Sequence, residues 1–180
     1  VIGYSYFGHY KVEVDYDNKI ITLHENTNAT DETGWEIIPL TFDGNNKPHL
    51  DIALSISGEE PVKLDVYIDY AASLSLELTI KEGMKFGLPE KYIADYGGFG
   101  LSGDVHGKTA RIHSYKIGKY EFRDVTATFF EGNARSKDKY ADGVISNDEL
   151  RRFNLVFDYY NKRLLLKPNN SFNEPFEIVN

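Results

Sequence analysis

The sequence predicts an all-β protein with one short helix, and three observations carry that prediction. Apolar and polar residues alternate over most of the chain, turn-forming clusters break the alternation at short intervals, and a single segment has the cap and spacing of a helix. Val12, Val14 and Tyr16 alternate with Lys11, Glu13 and Asp15, and Asp17-Asn18 turns the chain into Ile20-Ile21-Thr22-Leu23, a hairpin. Asn26 to Gly34 is polar and loop-like. Trp35 to Phe42 reads as a strand and Asp43-Gly44-Asn45-Asn46 as a turn. Leu50, Ile52, Leu54 and Ile56 share one face of the next strand; Val62, Leu64, Val66 and Ile68 share one face of the strand that runs into Asp69. Leu74 to Ile80 is apolar enough for a short strand or a turn of helix. Gly97 to Gly107 is a glycine-rich loop, followed by strand-like Thr109–Ile112 and Lys119–Phe130. Asn147 to Phe153 is the helix, with Asn147 as its cap and Leu150 and Phe153 facing inward. A last hairpin runs from Leu155 to Tyr159 and from Leu164 to Leu166, and Pro168 stops it.

The opening of the chain recurs near its end. Val1–Asn26 aligns without gaps on Val144–Asn169, at one constant offset throughout. The identical pairs are Val1/Val144, Ile2/Ile145, Asp15/Asp158, Tyr16/Tyr159, Asn18/Asn161, Lys19/Lys162, Leu23/Leu166 and Asn26/Asn169. That period is too long for a solenoid and suits a small domain. The expected organisation is therefore a closing hairpin of a preceding lobe at 1–26, a linker at 27–34, a full lobe at 35–169 and a polar tail at 170–180.

Composition narrows the function classes. The chain has 180 residues, enough for one sizeable core, and a net charge of −8, the wrong sign for a nucleic-acid surface. No apolar run approaches the ~20 residues of a membrane-spanning helix. There is no signal-peptide pattern at Val1 and no initial Met, which predicts a processed or truncated piece. With no Cys, disulfides, thiolate zinc sites and Cys nucleophiles are excluded. The 13 Tyr and 11 Phe would also suit a carbohydrate- or surface-binding module, although aromatics in strands serve first as core and cross-strand pairs.

Several motifs fail on their own chemistry. Gly98-Phe99-Gly100-Leu101-Ser102-Gly103 matches a dinucleotide fingerprint, but Asp104-Val105-His106-Gly107 is a poor start for the helix that a pyrophosphate requires. Gly107-Lys108-Thr109 lacks the earlier glycine of a phosphate loop, because that position is Ser102. Asp138, Asp142 and Glu149 graze a calcium loop, but Tyr140 stands where a ligand oxygen is needed. The five His residues show no zinc spacing, and no GxSxG occurs. The sequence thus calls for no metal and no cofactor.

One constellation survives. Val66-Tyr67-Ile68-Asp69-Tyr70-Ala71-Ala72-Ser73 places a carboxylate at the end of an apolar strand, followed by a small-residue turn. Well downstream, Asp142-Gly143-Val144-Ile145-Ser146 leads into the helix and the last hairpin. This order resembles the retropepsin-like aspartic proteases, in which an apolar strand ends in Asp-Thr-Gly-Ala, a glycine-bearing flap follows, and a Gly-Ile-Leu-Gly-like strand precedes a short helix. Asp142 to Pro168 resembles the closing segment of bacterial members.

The resemblance implies a closed acid-protease barrel over 35–169 and a peptidase chemistry in which two carboxylates share one proton. It implies Asp69 as one carboxylate, with Tyr70, Ala71, Ala72 and Ser73 as the active-site turn. Gly98, Gly100, Gly103 and Gly107 would belong to the flap, and Gly143, Val144, Ile145 and Ser146 to the supporting strand. It further implies an extended peptide substrate, a second carboxylate from an upstream lobe or a homodimer partner, and a periplasmic or secreted location. Three positions depart from the pattern: Tyr70 replaces Thr, Ala71 replaces Gly, and Ser146 replaces the second glycine of the supporting strand, which Gly3 keeps in the opening copy. Two readings therefore stand: a peptidase lobe built on Asp69, and a non-catalytic lobe that binds peptide or packs on a partner.

Overall fold

The computed structural model describes residues 3–29, 31–72, 76–100, 103–131 and 141–176. Its strands are β1 (Tyr10–Asp15), β2 (Ile20–Glu25), β3 (Glu36–Pro39), β4 (Thr41–Phe42), β5 (Pro48–Ser55), β6 (Val62–Asp69), β7 (Leu76–Ile80), β8 (Ile93–Gly100), β9 (Gly103–Ile117), β10 (Tyr120–Glu131), β11 (Gly143–Ser146), β12 (Phe153–Asp158) and β13 (Arg163–Pro168). The helices are α1 (Tyr4–Phe7) and α2 (Asn147–Leu150).

Six strands close a barrel in the order β5-β6-β11-β7-β10-β9, and β9 returns to β5 through the pairs Ala53–Lys116, Leu54–Tyr115 and Ser55–Ser114. Closure removes the unpaired edges that an open sheet of this size would expose. The inward positions follow the alternation of the sequence: Leu50, Ile52 and Leu54 from β5 and Leu64, Val66 and Ile68 from β6 are all buried. Each such side chain contributes roughly 1.5–3 kcal/mol relative to exposure.

A second sheet has the order β2-β1-β12-β13-β3. Here the two hairpins related by the sequence repeat lie side by side. Their elements share bounds to the residue: α1 matches α2, β1 matches β12 and β2 matches β13 at the offset of the repeat. The shared residues explain the shared turn. The Asn18 amide and side chain donate to Asp15 at 3.0 and 2.8 Å, and Asn161 does the same to Asp158 at 3.2 and 2.9 Å. Lys19 and Lys162 then take φ of 57° and 53°, the left-handed step that closes each turn.

Five details differ from the sequence reading. The expected helix Asn147–Phe153 ends at Leu150, and Phe153 opens β12, where it pairs with Pro168. Trp35 to Phe42 forms two short strands, β3 and β4, in different sheets. The glycine-rich stretch is no loop but the facing ends of β8 and β9, with Leu101 and Ser102 between them outside the described residues. This hairpin cannot present a helix N-terminus, which disposes of the dinucleotide fingerprint. Asn147 does not cap α2: Ser146 takes the cap position, with no side-chain cap bond, and Asn147 is the first helical residue. Finally, α1 is a second short helix beside the one expected.

Candidate active site

Asp69 ends β6, where backbone and neighbouring strands fix it. β11 runs parallel to β6 with Ser146 beside Asp69, and its other edge pairs antiparallel with β7. That close passage needs Gly143, because a Cβ there would lie 2.2 Å from the Glu77 carbonyl oxygen. Asp142 knits the same crossing. Its amide donates to the Asp65 carbonyl at 2.7 Å, its carboxylate accepts from the Asp65 amide at 3.1 Å, and Lys81 Nζ lies 3.2 Å from its other oxygen. Asp142 is thus occupied in holding the scaffold.

After Asp69 the chain turns tightly. The Ala71 amide donates to Asp69 Oδ1 at 3.1 Å, the Ala72 amide donates to the Asp69 carbonyl at 3.2 Å, and the Asn147 amide donates to the Ala72 carbonyl at 3.1 Å. The last bond ties the turn to α2. Ser73 lies outside the described residues. Ala71 is exposed. Val144 and Ile145 are buried between β6 and β7, and Ser146 is buried with its hydroxyl unpartnered among the described residues.

The turn is also tied to the first hairpin, which sequence reasoning missed. Tyr16, just past β1, donates its hydroxyl to Asn147 Oδ1 at 2.5 Å and accepts from the Tyr70 hydroxyl at 2.5 Å. Burial raises the pKa of both phenols above the ordinary value of 10, and for Tyr70 the bond it donates adds to that shift. Both therefore stay protonated, as this relay requires. The Tyr70 ring also meets Phe157 edge-on at 5.4 Å. No local sequence pattern marks this relay, because its partners lie 54 and 131 positions from Tyr16.

Asp69 opens onto a cavity of about 540 Å³ lined by residues that include Asp69, Tyr70 and Tyr67 from the barrel, Gly3, Tyr4 and Phe7 from the first hairpin's helix, and Tyr159. Its apolar wall is an aromatic cluster: Phe7 meets Phe157 at 5.4 Å and Tyr159 at 5.6 Å, while Tyr4 stacks on Tyr159 at 6.1 Å. Lys47 sits over the Tyr67 ring at 4.4 Å, which places a cation at the same mouth.

The predicted flap glycines fall on the β8–β9 hairpin. Gly98 pairs with Val105 and Gly100 with Gly103, with a bulge between Tyr96 and Gly98. Gly107 lies nearer the barrel, where a Cβ would lie 2.6 Å from the Thr128 methyl group, so at this position glycine permits close strand packing. Among the described residues no group of three or more His, Cys, Asp or Glu side chains could hold a metal ion, and no helix is long and apolar enough to cross a membrane.

No family model matches the chain, and no curated protein matches it. Solved structures do match. One is the crystal structure of a retropepsin-like aspartic protease from Rickettsia conorii, 20% identical, with a TM-score of 0.52 over 74% of this chain and 89% of that one. The likeness is one of fold: the chain has the all-β barrel of a retropepsin-like aspartic protease lobe.

Proposed function

We propose that this chain supplies one half of an aspartic-peptidase active site, with Asp69 as its carboxylate. The observation that carries the reading is the placement of Asp69. It ends a buried strand, an amide of its own turn holds one carboxylate oxygen, and it lines an open cavity of about 540 Å³. In this chemistry two carboxylates about 3 Å apart share a proton; one acts as base toward water while the protonated one polarises the peptide carbonyl. The second carboxylate comes from another lobe, upstream in the same protein or in a homodimer partner. The β8–β9 hairpin serves as the flap over an extended substrate, and its bulge and paired glycines suit a moving tip.

A specific observation favours a second reading, a non-catalytic lobe that binds peptide or packs on its partner. Tyr70 and Ala71 replace the Thr and Gly of the family turn, and Ser146 beside Asp69 replaces a glycine. The test is cleavage of a peptide library between pH 4 and 7 by the protein carrying both lobes, with and without Asp69→Asn. Loss of cleavage on this substitution supports the first reading. Cleavage that persists removes Asp69 from the dyad, and no cleavage by either protein favours the second reading. The chain alone is expected to be inactive unless it dimerises through Asp69.

A further inference from the structure

The turn Asp43–Lys47 places a cation in the cavity that Asp69 lines. The turn is closed by its own bonds. The Asn45 and Lys47 amides both donate to Asp43 Oδ1 at 2.8 Å, the Asn46 amide donates to the Asp43 carbonyl at 3.0 Å, and the Asp43 amide donates to the Lys47 carbonyl at 3.2 Å. Asn46 takes the left-handed step, with φ of 59°. Pro48, the first residue of β5, follows at once and fixes φ at the exit.

The Lys47 ammonium lies over the Tyr67 ring, 4.4 Å from its centre. Tyr67 is itself held in place. It is 8% exposed, stands opposite His49 across β5 and β6, and its ring lies 6.1 Å from the His49 ring. His49 is buried, and its Nδ1 lies 3.1 Å from Asp65 Oδ1. Asp65, His49, Tyr67 and Lys47 thus form a row of side chains, each set against the next, that ends in a positive charge. A ring face attracts an ammonium while carrying no net charge of its own.

Tyr67 precedes Asp69 by two residues, so the two side chains leave the same face of β6 about 7 Å apart along the strand. Lys47, Tyr67 and Asp69 line one cavity, and Phe7, Phe157 and Tyr159 give it an apolar wall. Apolar surroundings strengthen the pull between opposite charges. An extended peptide repeats its side chains on one face at the same spacing as β6. A peptide whose backbone reaches Asp69 therefore brings a side chain, or its own chain end, to Lys47 within two residues.

We propose that Lys47, seated on Tyr67, is a specificity residue of this cleft and selects peptides that carry a carboxylate within two residues of the position held at Asp69. That carboxylate belongs to an Asp or Glu side chain or to the peptide's C-terminus, since both offer the ammonium a charge-assisted bond. The inference rests on the reading of the Asp69 cavity as a peptide site, and it holds whether or not Asp69 cleaves.

The test reads binding. Short fluorescent peptides with blocked ends, differing only by Glu or Gln at one position after another, are titrated by anisotropy into the protein that carries both lobes and Asp69→Asn. In one register Glu should bind about five- to tenfold tighter than Gln, and added salt should shrink the preference. Lys47→Met should erase it and Lys47→Glu reverse it, while Lys47→Arg should keep it, because a guanidinium also stacks on a ring. The Gln peptides with a free C-terminus, compared with their amides, read the other source: a preference for the free acid that Lys47→Met erases assigns the subsite to a chain end. Circular dichroism checks that each variant is folded, and if Lys47→Met is not, Lys47→Glu and Lys47→Arg decide. Equal binding of Glu and Gln peptides, and of free and amidated ends, overturns the proposal. So does a charge preference that survives loss of the lysine, or the absence of any binding at millimolar peptide. The peptidase reading fails separately, when the protein with Asp69 intact cleaves nothing while the charge preference in binding persists.

Discussion

The hairpins Tyr10–Glu25 and Phe153–Pro168 share a preceding helix, a turn and strand lengths, yet their surroundings are opposite. In the second, Leu155, Phe157, Leu164 and Leu166 lie in the main hydrophobic core. In the first, Ile20, Ile21 and Leu23 face outward, and only Val12 and Val14 among the apolar residues of β1 and β2 are buried. The same local chemistry therefore builds the same hairpin with and without a barrel behind it. Asp, Asn and Lys at the turn specify the shape, and the surroundings decide which of its apolar positions are buried.

The contrast between the hairpins breaks most visibly under truncation. Leu164→Ala should destabilise by ~2–5 kcal/mol in urea unfolding, because it opens a cavity in a closed core, while Ile21→Ala should stay within ~0.5 kcal/mol. The turn aspartates come next. Asp158 is buried and also accepts from Arg163 Nε at 2.8 Å, so Asp158→Ala should cost ~2–3 kcal/mol, against ~0.5 kcal/mol for the half-buried Asp15→Ala. The Asn18 bonds hold the Asp15 carboxyl below its usual 3.8, so what it does contribute is present above that pH and lost as the pH falls through the lowered value. The two tyrosines should differ by less. Tyr16→Phe removes the relay between Asn147 and Tyr70 and should cost ~1–2 kcal/mol. Tyr159→Phe, which keeps the ring contacts with Tyr4, Phe7 and Phe157, should be nearly neutral. The smallest effect is a slope. Burial holds Glu149 protonated well above its usual 4.5, so as pH rises past 4.5 the unfolded chain releases this proton while the folded chain keeps it, and stability falls. Glu149→Gln should flatten that decline between pH 5 and 8 in thermal melts.

Much of the barrel was legible because its strands face a core on one side and water on the other. Leu50 to Leu54 and Leu64 to Ile68 declare themselves by alternation alone. The fold was less legible where one strand serves two neighbours: β9 runs on through His113 to Ile117 because β5 pairs with its far end as well as β10, a constraint that no local pattern encodes. α1 was missed because Tyr4-Ser5-Tyr6-Phe7 has neither cap nor strong helix formers, although its alignment with Asn147–Leu150 carried the information. At the site, Asp69 could be read from strand and turn. The Tyr16–Tyr70–Asn147 relay could not, because it joins residues 54 and 131 positions apart.

The two hairpins pair about an approximate two-fold axis between Glu13 and Val156, with Val12 opposite Phe157 and Val14 opposite Leu155 on either side, and this has a consequence for how such a sheet can be composed. In a strictly symmetric pair of identical chains, the residue on the axis must face its own copy: Glu against Glu, with two like charges opposed across the strands, or Val against Val. Here Glu13 faces Val156 and turns its carboxylate to His24 at 2.8 Å on its own hairpin. Two non-identical hairpins can put unlike residues at that point, and with them a charge where a symmetric dimer of identical chains would meet repulsion.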